Sequence, residues 1–160
     1  MRELSLQTQL LSAWKFRLYL LKNLPMALLA GLKIRSFSDQ SASVSVPFGY
    51  LTQNPFRSTY FACLAMAGEL ASGIQVLDAA SRSDVKISTL VTGIEGQFFK
   101  KATGTTTFSC EDGKAIRKAV FQASKQNDPV TVFTLSKGVD SDGQAIADFT
   151  VIWSIKRKSR

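Results

Sequence analysis

Histidine is absent from all 160 residues, and that absence excludes much. No Ser–His or Cys–His nucleophile pair can be assembled, and no His-bearing zinc site can form. Acid–base chemistry is left to Asp, Glu, Lys, Tyr or Cys. Cysteine is nearly absent too. Cys63 and Cys110 are too few and too far apart for a disulfide framework or a zinc site. They read as small buried hydrophobes, which suits a reducing, cytoplasmic compartment. No apolar run reaches the roughly 20 residues that span a bilayer. The apolar stretch 10–29 is broken by Lys15, Arg17 and Lys22, so neither a signal peptide nor a membrane span is expected. No phosphate-binding Gly-rich loop or dinucleotide fingerprint occurs. No metal and no resident cofactor is expected.

What is present fits a single domain over 1–160. The chain is 45% hydrophobic and carries a net charge of +8, which favours anionic partners. The basic residues are dispersed, apart from Lys156, Arg157, Lys158 and Arg160 at the end. A solvated tail is the simpler reading of that run. Aromatic and basic residues are not interleaved as in RNA-binding surfaces, so nucleic acid is disfavoured.

Hydrophobic periodicity orders the elements. Leu6, Leu10, Trp14, Leu18 and Leu21 recur at spacings of three and four, predicting a helix over 4–22 with that line as its packing face. Pro25 ends it, and a short helical turn over 26–30 stops at Gly31. Alternation then predicts strands from Leu32 and over 41–46. After a loop and the segment 58–73 come a strand over 86–99, bent near Gly93 and Gly96, and a Thr-rich strand over 102–110. Asp112 is placed to cap a helix whose buried face is Ile116, Ala119, Val120 and Ala123. Strands over 130–136 and 145–156 close the chain.

The segment 58–73 is the unusual one. It reads as a helix over about 58–72 that is apolar on nearly every face, whereas a surface helix shows a polar side. It must be buried. Asn54 or Ser58 would cap it, and Gly73 would stop it. Its one carboxylate, Glu69, should have a raised pKa, since burial penalises the charged form. Hairpin-linked strands with few helices argue for an α+β fold with an antiparallel sheet. Ala62, Ala65, Ala67 and Ala71 would let a curved sheet close on the helix. An antiparallel sheet wrapped round one buried helix, preceded by an N-terminal helix, is the hotdog arrangement.

The string Asn54-Pro55-Phe56-Arg57-Ser58-Thr59-Tyr60-Phe61, with Ala67-Gly68-Glu69-Leu70-Ala71, resembles a hotdog-fold family of unknown function related to the PaaI-like acyl-CoA thioesterases. Leu24-Pro25-Met26-Ala27 with Gly31, Phe99-Lys100-Lys101-Ala102 with Gly104, and Trp153-Ser154-Ile155-Lys156 fit the same pattern. The resemblance implies a homodimer, or a dimer of such dimers, with acyl-thioester sites between subunits. It implies catalytic roles for Glu69, as base or nucleophile, and for Asn54, which positions water or substrate. Ser58, Thr59 and Tyr60 would line the substrate site at the helix start. On their charge alone, Arg57, Lys100, Lys101 and the C-terminal run are candidates to meet coenzyme A phosphates, with a solvated surface the simpler reading of each. One departure matters. Relatives carry His-Gly-Gly at the helix start where this chain has Ser-Thr-Tyr, so Tyr60 could narrow the acyl site. Two functions follow as expectations: an acyl-CoA thioesterase, or a non-catalytic module that binds acyl-CoA, acyl carrier protein or a fatty acid. The simpler alternatives are an N-capping Asn54 and a Glu69 paired to a lysine.

Overall fold

The computed structural model describes residues 12–158. Helices α1 (Ala13–Asn23) and α2 (Pro25–Leu29) lead into strands β1 (Lys33–Phe37) and β2 (Ala42–Val46). The long helix α3 (Phe61–Ser81) follows, then β3 (Ile87–Phe98), β4 (Thr106–Cys110), helix α4 (Gly113–Lys125), β5 (Val130–Val139) and β6 (Ala145–Arg157). The strands form a six-stranded sheet in the order β1-β2-β4-β5-β6-β3, with every pair antiparallel. The α+β expectation holds, and the architecture is a hotdog: a curved sheet around α3.

Helix α3 is the core. Leu64, Ala67, Leu70, Ala71, Ile74 and Val76 are all buried, together with Val44, Phe108, Phe149 and Val151 of the sheet. Burial of a helix apolar on all sides is what its composition demands. Its 21 residues are apolar enough to span a bilayer by length and composition, yet the fold buries most of them. Small residues set the approach distance. A Cβ added at Gly68 would lie 2.7 Å from the Phe149 ring, so only glycine lets helix and sheet meet there. The Gly68 carbonyl accepts a 2.6 Å hydrogen bond from Ser136 Oγ on β5.

The helix boundaries differ from expectation at both ends. It begins at Phe61 rather than near 58, because Thr59 is held extended: its N–H and Oγ1 donate to the Ala102 carbonyl at 2.8 and 3.1 Å. Tyr60 occupies the N-cap position, and among the described residues no side chain caps the helix. The expected cap by Asn54 or Ser58 is therefore absent. At the other end the helix runs through Gly73 to Ser81. Gly73 serves close packing instead of termination: a Cβ there would sit 3.0 Å from Glu69 Oε1 and 3.6 Å from Trp153.

Helix α1 also corrects the sequence reading. Leu6 and Leu10 lie outside the described residues. Phe16 and Leu20 are the buried side chains, while Trp14, Leu18 and Leu21 are 62%, 54% and 61% exposed. Both lines obey a helical period, and periodicity alone does not say which of two adjacent apolar lines meets the core. Helix α2 stops as expected at Gly31, whose φ is +74°.

The Thr-rich strand begins at Thr106 rather than Ala102, since the Ala102 carbonyl is committed to Thr59. β5 runs three residues past its expected end, to Val139. The buried face of α4 is the one expected, Ile116, Ala119, Val120 and Ala123. Asp112 sits at its N-cap position but makes no capping bond. Its Oδ2 accepts instead from the Leu135 N–H at 2.7 Å, tying β5 to the start of α4. β3 has its irregularity between Val91 and Gly93; at Gly96 the missing Cβ leaves room for the Phe149 ring.

Candidate functional site

The start of α3 is built by an irregular loop from β2. Asn54 organises that loop. Its Oδ1 accepts hydrogen bonds from Phe56 N–H at 2.9 Å, Ser58 N–H at 3.2 Å and Ser58 Oγ at 3.2 Å. The turn carries Arg57 at φ 58°, a left-handed conformation that costs a side-chain-bearing residue about 1–2 kcal/mol. Three local donors on one amide oxygen offset that strain. Tyr60 N–H donates to the Thr52 carbonyl, and the Cys63 N–H closes the first turn on the Tyr60 carbonyl at 2.9 Å. Among the described residues no acceptor meets the N–H groups of Phe61 or Ala62. Free N–H groups at a helix N-terminus are donors for an anionic or polarised oxygen.

Phe61 lines a cavity of about 430 Å³ between the loop, α3 and the end of β3. Asn54, Tyr60, Phe61, Leu64, Phe98 and Lys101 are among its lining residues. Ser58 and Thr59 line it too, although both are buried and their hydroxyls are engaged by Asn54 and Ala102. The Tyr60 and Phe61 rings meet edge to face with centroids 4.8 Å apart. They wall the cavity without filling it. Arg57 stands in the loop beside it, exposed and with no ion pair among the described residues. Lys101 is likewise unpaired. Lys100 is committed elsewhere, at 3.0 Å from Asp140 Oδ2 and 2.6 Å from Gln144 Oε1.

Glu69 lies elsewhere. It is eight residues beyond Phe61, about 12 Å along the helix axis at the usual rise. It opens into a second cavity of about 270 Å³, shared with Tyr19, Asn23, Leu77, Thr89 and Trp153. One chain therefore does not bring Asn54 and Glu69 together. Burial pushes the Glu69 carboxyl up to about 6, as its place on an apolar helix requires. The Tyr19 phenol is raised above its ordinary value, first by burial and then by the Glu69 charge. Among the described residues the carboxylate has no ion pair or hydrogen-bond donor, so the alternative of a lysine-paired Glu69 finds no lysine there. Trp153 supports it indirectly. Its Nε1–H donates to Ser72 Oγ at 3.1 Å, and Ser72 Oγ donates to the Glu69 carbonyl at 3.0 Å.

Tyr19, Thr89 and Trp153 were not singled out around Glu69 from the sequence. They converge from α1, β3 and β6, and no local pattern marks such a meeting. Phe98 and Phe99 carried a weak signal, two adjacent aromatics at the end of a strand that alternates elsewhere. Among the described residues no group of three His, Cys, Asp or Glu could hold a metal ion.

The fold is shared with proteins named as thioesterases. A Pseudomonas aeruginosa protein of unknown function, a candidate thioesterase, superimposes with a TM-score of 0.76 at 16% identity, over 94% of this chain and 99% of that one. A candidate thioesterase from Shewanella oneidensis gives 0.75 at 14% identity, over 93% and 99%. A thioesterase from Haemophilus influenzae gives 0.65 at 9% identity, over 91% of each chain. At such identities the likeness is one of fold. No family model matches the sequence, and no curated protein does.

Proposed function

We propose that the protein is an acyl-thioester hydrolase of the acyl-CoA thioesterase type, working as a homodimer in a reducing, cytoplasmic setting. The observation that carries this reading is Glu69: unlike Asp78, the other carboxylate of the core helix, which pairs with Arg82, it faces a cavity, has no partner among the described residues, and has a pKa raised to about 6. A base is most useful when its pKa lies near the working pH. Ionised Glu69 removes a proton from water, the oxygen adds to the thioester carbonyl carbon, and the carbon–sulfur bond breaks as the thiolate leaves. In this scheme the free N–H groups at the start of α3, beside Phe61 of the first cavity, hold the carbonyl oxygen as it gains charge.

This chemistry needs Asn54 and the helix start of one subunit facing Glu69 of another. The β3 edge supports such a dimer. It is 12 residues long, has no strand partner on one side among the described residues, and exposes Leu90, Ile94 and Phe98. A long apolar edge is a template for pairing with another strand, and two β3 edges would join the sheets. Arg57 and Lys101, without ion pairs among the described residues, suit the phosphates of coenzyme A. Asn54 acts in this scheme by holding the loop that lines the acyl site.

The test is hydrolysis of acyl-CoAs of several chain lengths, followed by release of free thiol. Turnover is expected for the wild type and loss of about a thousandfold or more for Glu69→Ala, as for removal of an essential base. Turnover that survives Glu69→Ala sinks the assignment. A second reading is a non-catalytic acyl binder, favoured by the Tyr60 and Phe61 rings at the helix start. Saturable acyl-CoA binding with no thiol release would select it.

A further inference from the structure

Helices α1 and α2 present an apolar surface that the hydrolase reading does not use. Trp14, Leu18 and Leu21 stand one turn apart on the outer face of α1. With Leu28 of α2 they line a groove of about 440 Å³ whose remaining lining residue is Arg17. Met26 and Leu29 of α2 are exposed as well, at 64% and 57%. Scattered exposed apolar side chains are ordinary, but a contiguous set marks an interaction site. The other side of α1 already meets the core through Phe16 and Leu20.

Charge identifies the occupant. Throughout 12–38 the charged residues are Lys15, Arg17, Lys22, Lys33 and Arg35, with no Asp or Glu. None of them pairs with a carboxylate among the described residues. Lys15 Nζ sits 5.7 Å from the Trp14 ring centre, so cation and indole are presented together. A second copy docked by two-fold symmetry would bring the helix-borne Lys15, Arg17 and Lys22 against their own counterparts, with like charges facing. An anionic lipid surface meets both features: apolar side chains enter the acyl region, and long basic side chains reach up to the phosphates. Tryptophan at such a boundary places its ring at headgroup depth.

We propose that the α1–α2 surface docks the protein onto anionic phospholipid bilayers, with Trp14, Leu18, Leu21 and Leu28 against acyl chains and Lys15, Arg17 and Lys22 against lipid phosphates. The protein lies on the membrane and does not cross it. A surface of this kind would keep the protein where long-chain acyl groups partition.

The experiment is co-sedimentation of the full chain with vesicles of phosphatidylcholine alone and of phosphatidylcholine mixed with phosphatidylglycerol. Binding to the mixed vesicles and little to the neutral ones is expected, weakening as salt rises. Trp153 is buried and Trp14 is not, so a blue shift of emission on binding should come from Trp14 and vanish in Trp14→Phe. Arg17→Gln with Lys22→Gln, both at exposed positions, should weaken binding by roughly tenfold or more. Leu18→Asp should abolish it, with circular dichroism as the check on folding. Failure to bind anionic vesicles at low salt overturns the proposal. So does equal binding to neutral vesicles. Conversion to a smaller oligomer by Leu18→Asp, without a change in vesicle binding, would assign the surface to a second copy. Vesicle binding that is lost on deleting residues 1–11, and kept in Leu18→Asp, would assign it to that segment. None of these outcomes depends on whether Glu69 is catalytic.

Discussion

Glu69→Gln should make the protein more stable, by an amount that depends on pH. The carboxyl sits at 4.5 in its ordinary state and about 6 in the fold, a rise worth about 2 kcal/mol. The folded value is the higher one, so the folded protein holds this proton more tightly than the unfolded chain does. Below about pH 4.5 both states are protonated and the site costs nothing. Between 4.5 and 6 the unfolded chain ionises first and stability falls. Above 6 the cost is complete. Gln keeps the shape and removes the titration. Urea unfolding should show the variant about 2 kcal/mol more stable near pH 8 and equal to the wild type near pH 4. A stability gap independent of pH, or a wild type more stable near pH 8, would refute the reasoning. The same variant should be inactive against acyl thioesters. The wild-type kcat/KM should rise with pH through about 6, since the base must be ionised to act.

Three further predictions concern placement. Gly73→Ala puts a methyl 3.0 Å from Glu69 Oε1; the carboxylate must shift, so kcat should fall about tenfold or more while the urea midpoint stays near wild type. Asn54→Ala removes the acceptor of three loop hydrogen bonds; stability should drop by about 1–3 kcal/mol and KM should rise, which thermal melts and kinetics would show together, and an unchanged KM would separate the loop from the site. Ile94→Lys places a charge on the exposed β3 edge; light scattering should report a monomer, and thioester turnover should vanish with the dimer.

Most of the fold was legible because its signals are local. Gly31 ends α2 with a positive φ, the α4 face is a simple helical stripe, and Gly93 marks an irregularity in β3. The burial of α3 followed from composition alone. What escaped the sequence was settled by contacts between distant residues. Thr59 belongs to no helix because the Ala102 carbonyl holds it, and Asp112 caps nothing because Leu135 takes its carboxylate. Gly73 looks like a stop until Trp153 and Glu69 are seen beside it. For α1 two apolar lines compete, and only the sheet beneath decides between them. The candidate site followed the same rule. Glu69 was visible as an anomaly on its own helix, whereas Tyr19, Thr89 and Trp153 converge on it from three other elements.

The strand order has a consequence for how the chain becomes a protein. Among the described residues β3 finds its ladder partner only in β6, made some fifty residues later. Until β6 emerges from the ribosome, α3 has no closed sheet to shelter it, although it is apolar enough to pass for a membrane span. Productive collapse must therefore wait for synthesis to reach the last strand. Meanwhile the nascent chain displays the kind of segment that chaperones and insertion machinery bind. Truncations that spare α3 but remove β6 should be the most aggregation-prone forms of this sequence.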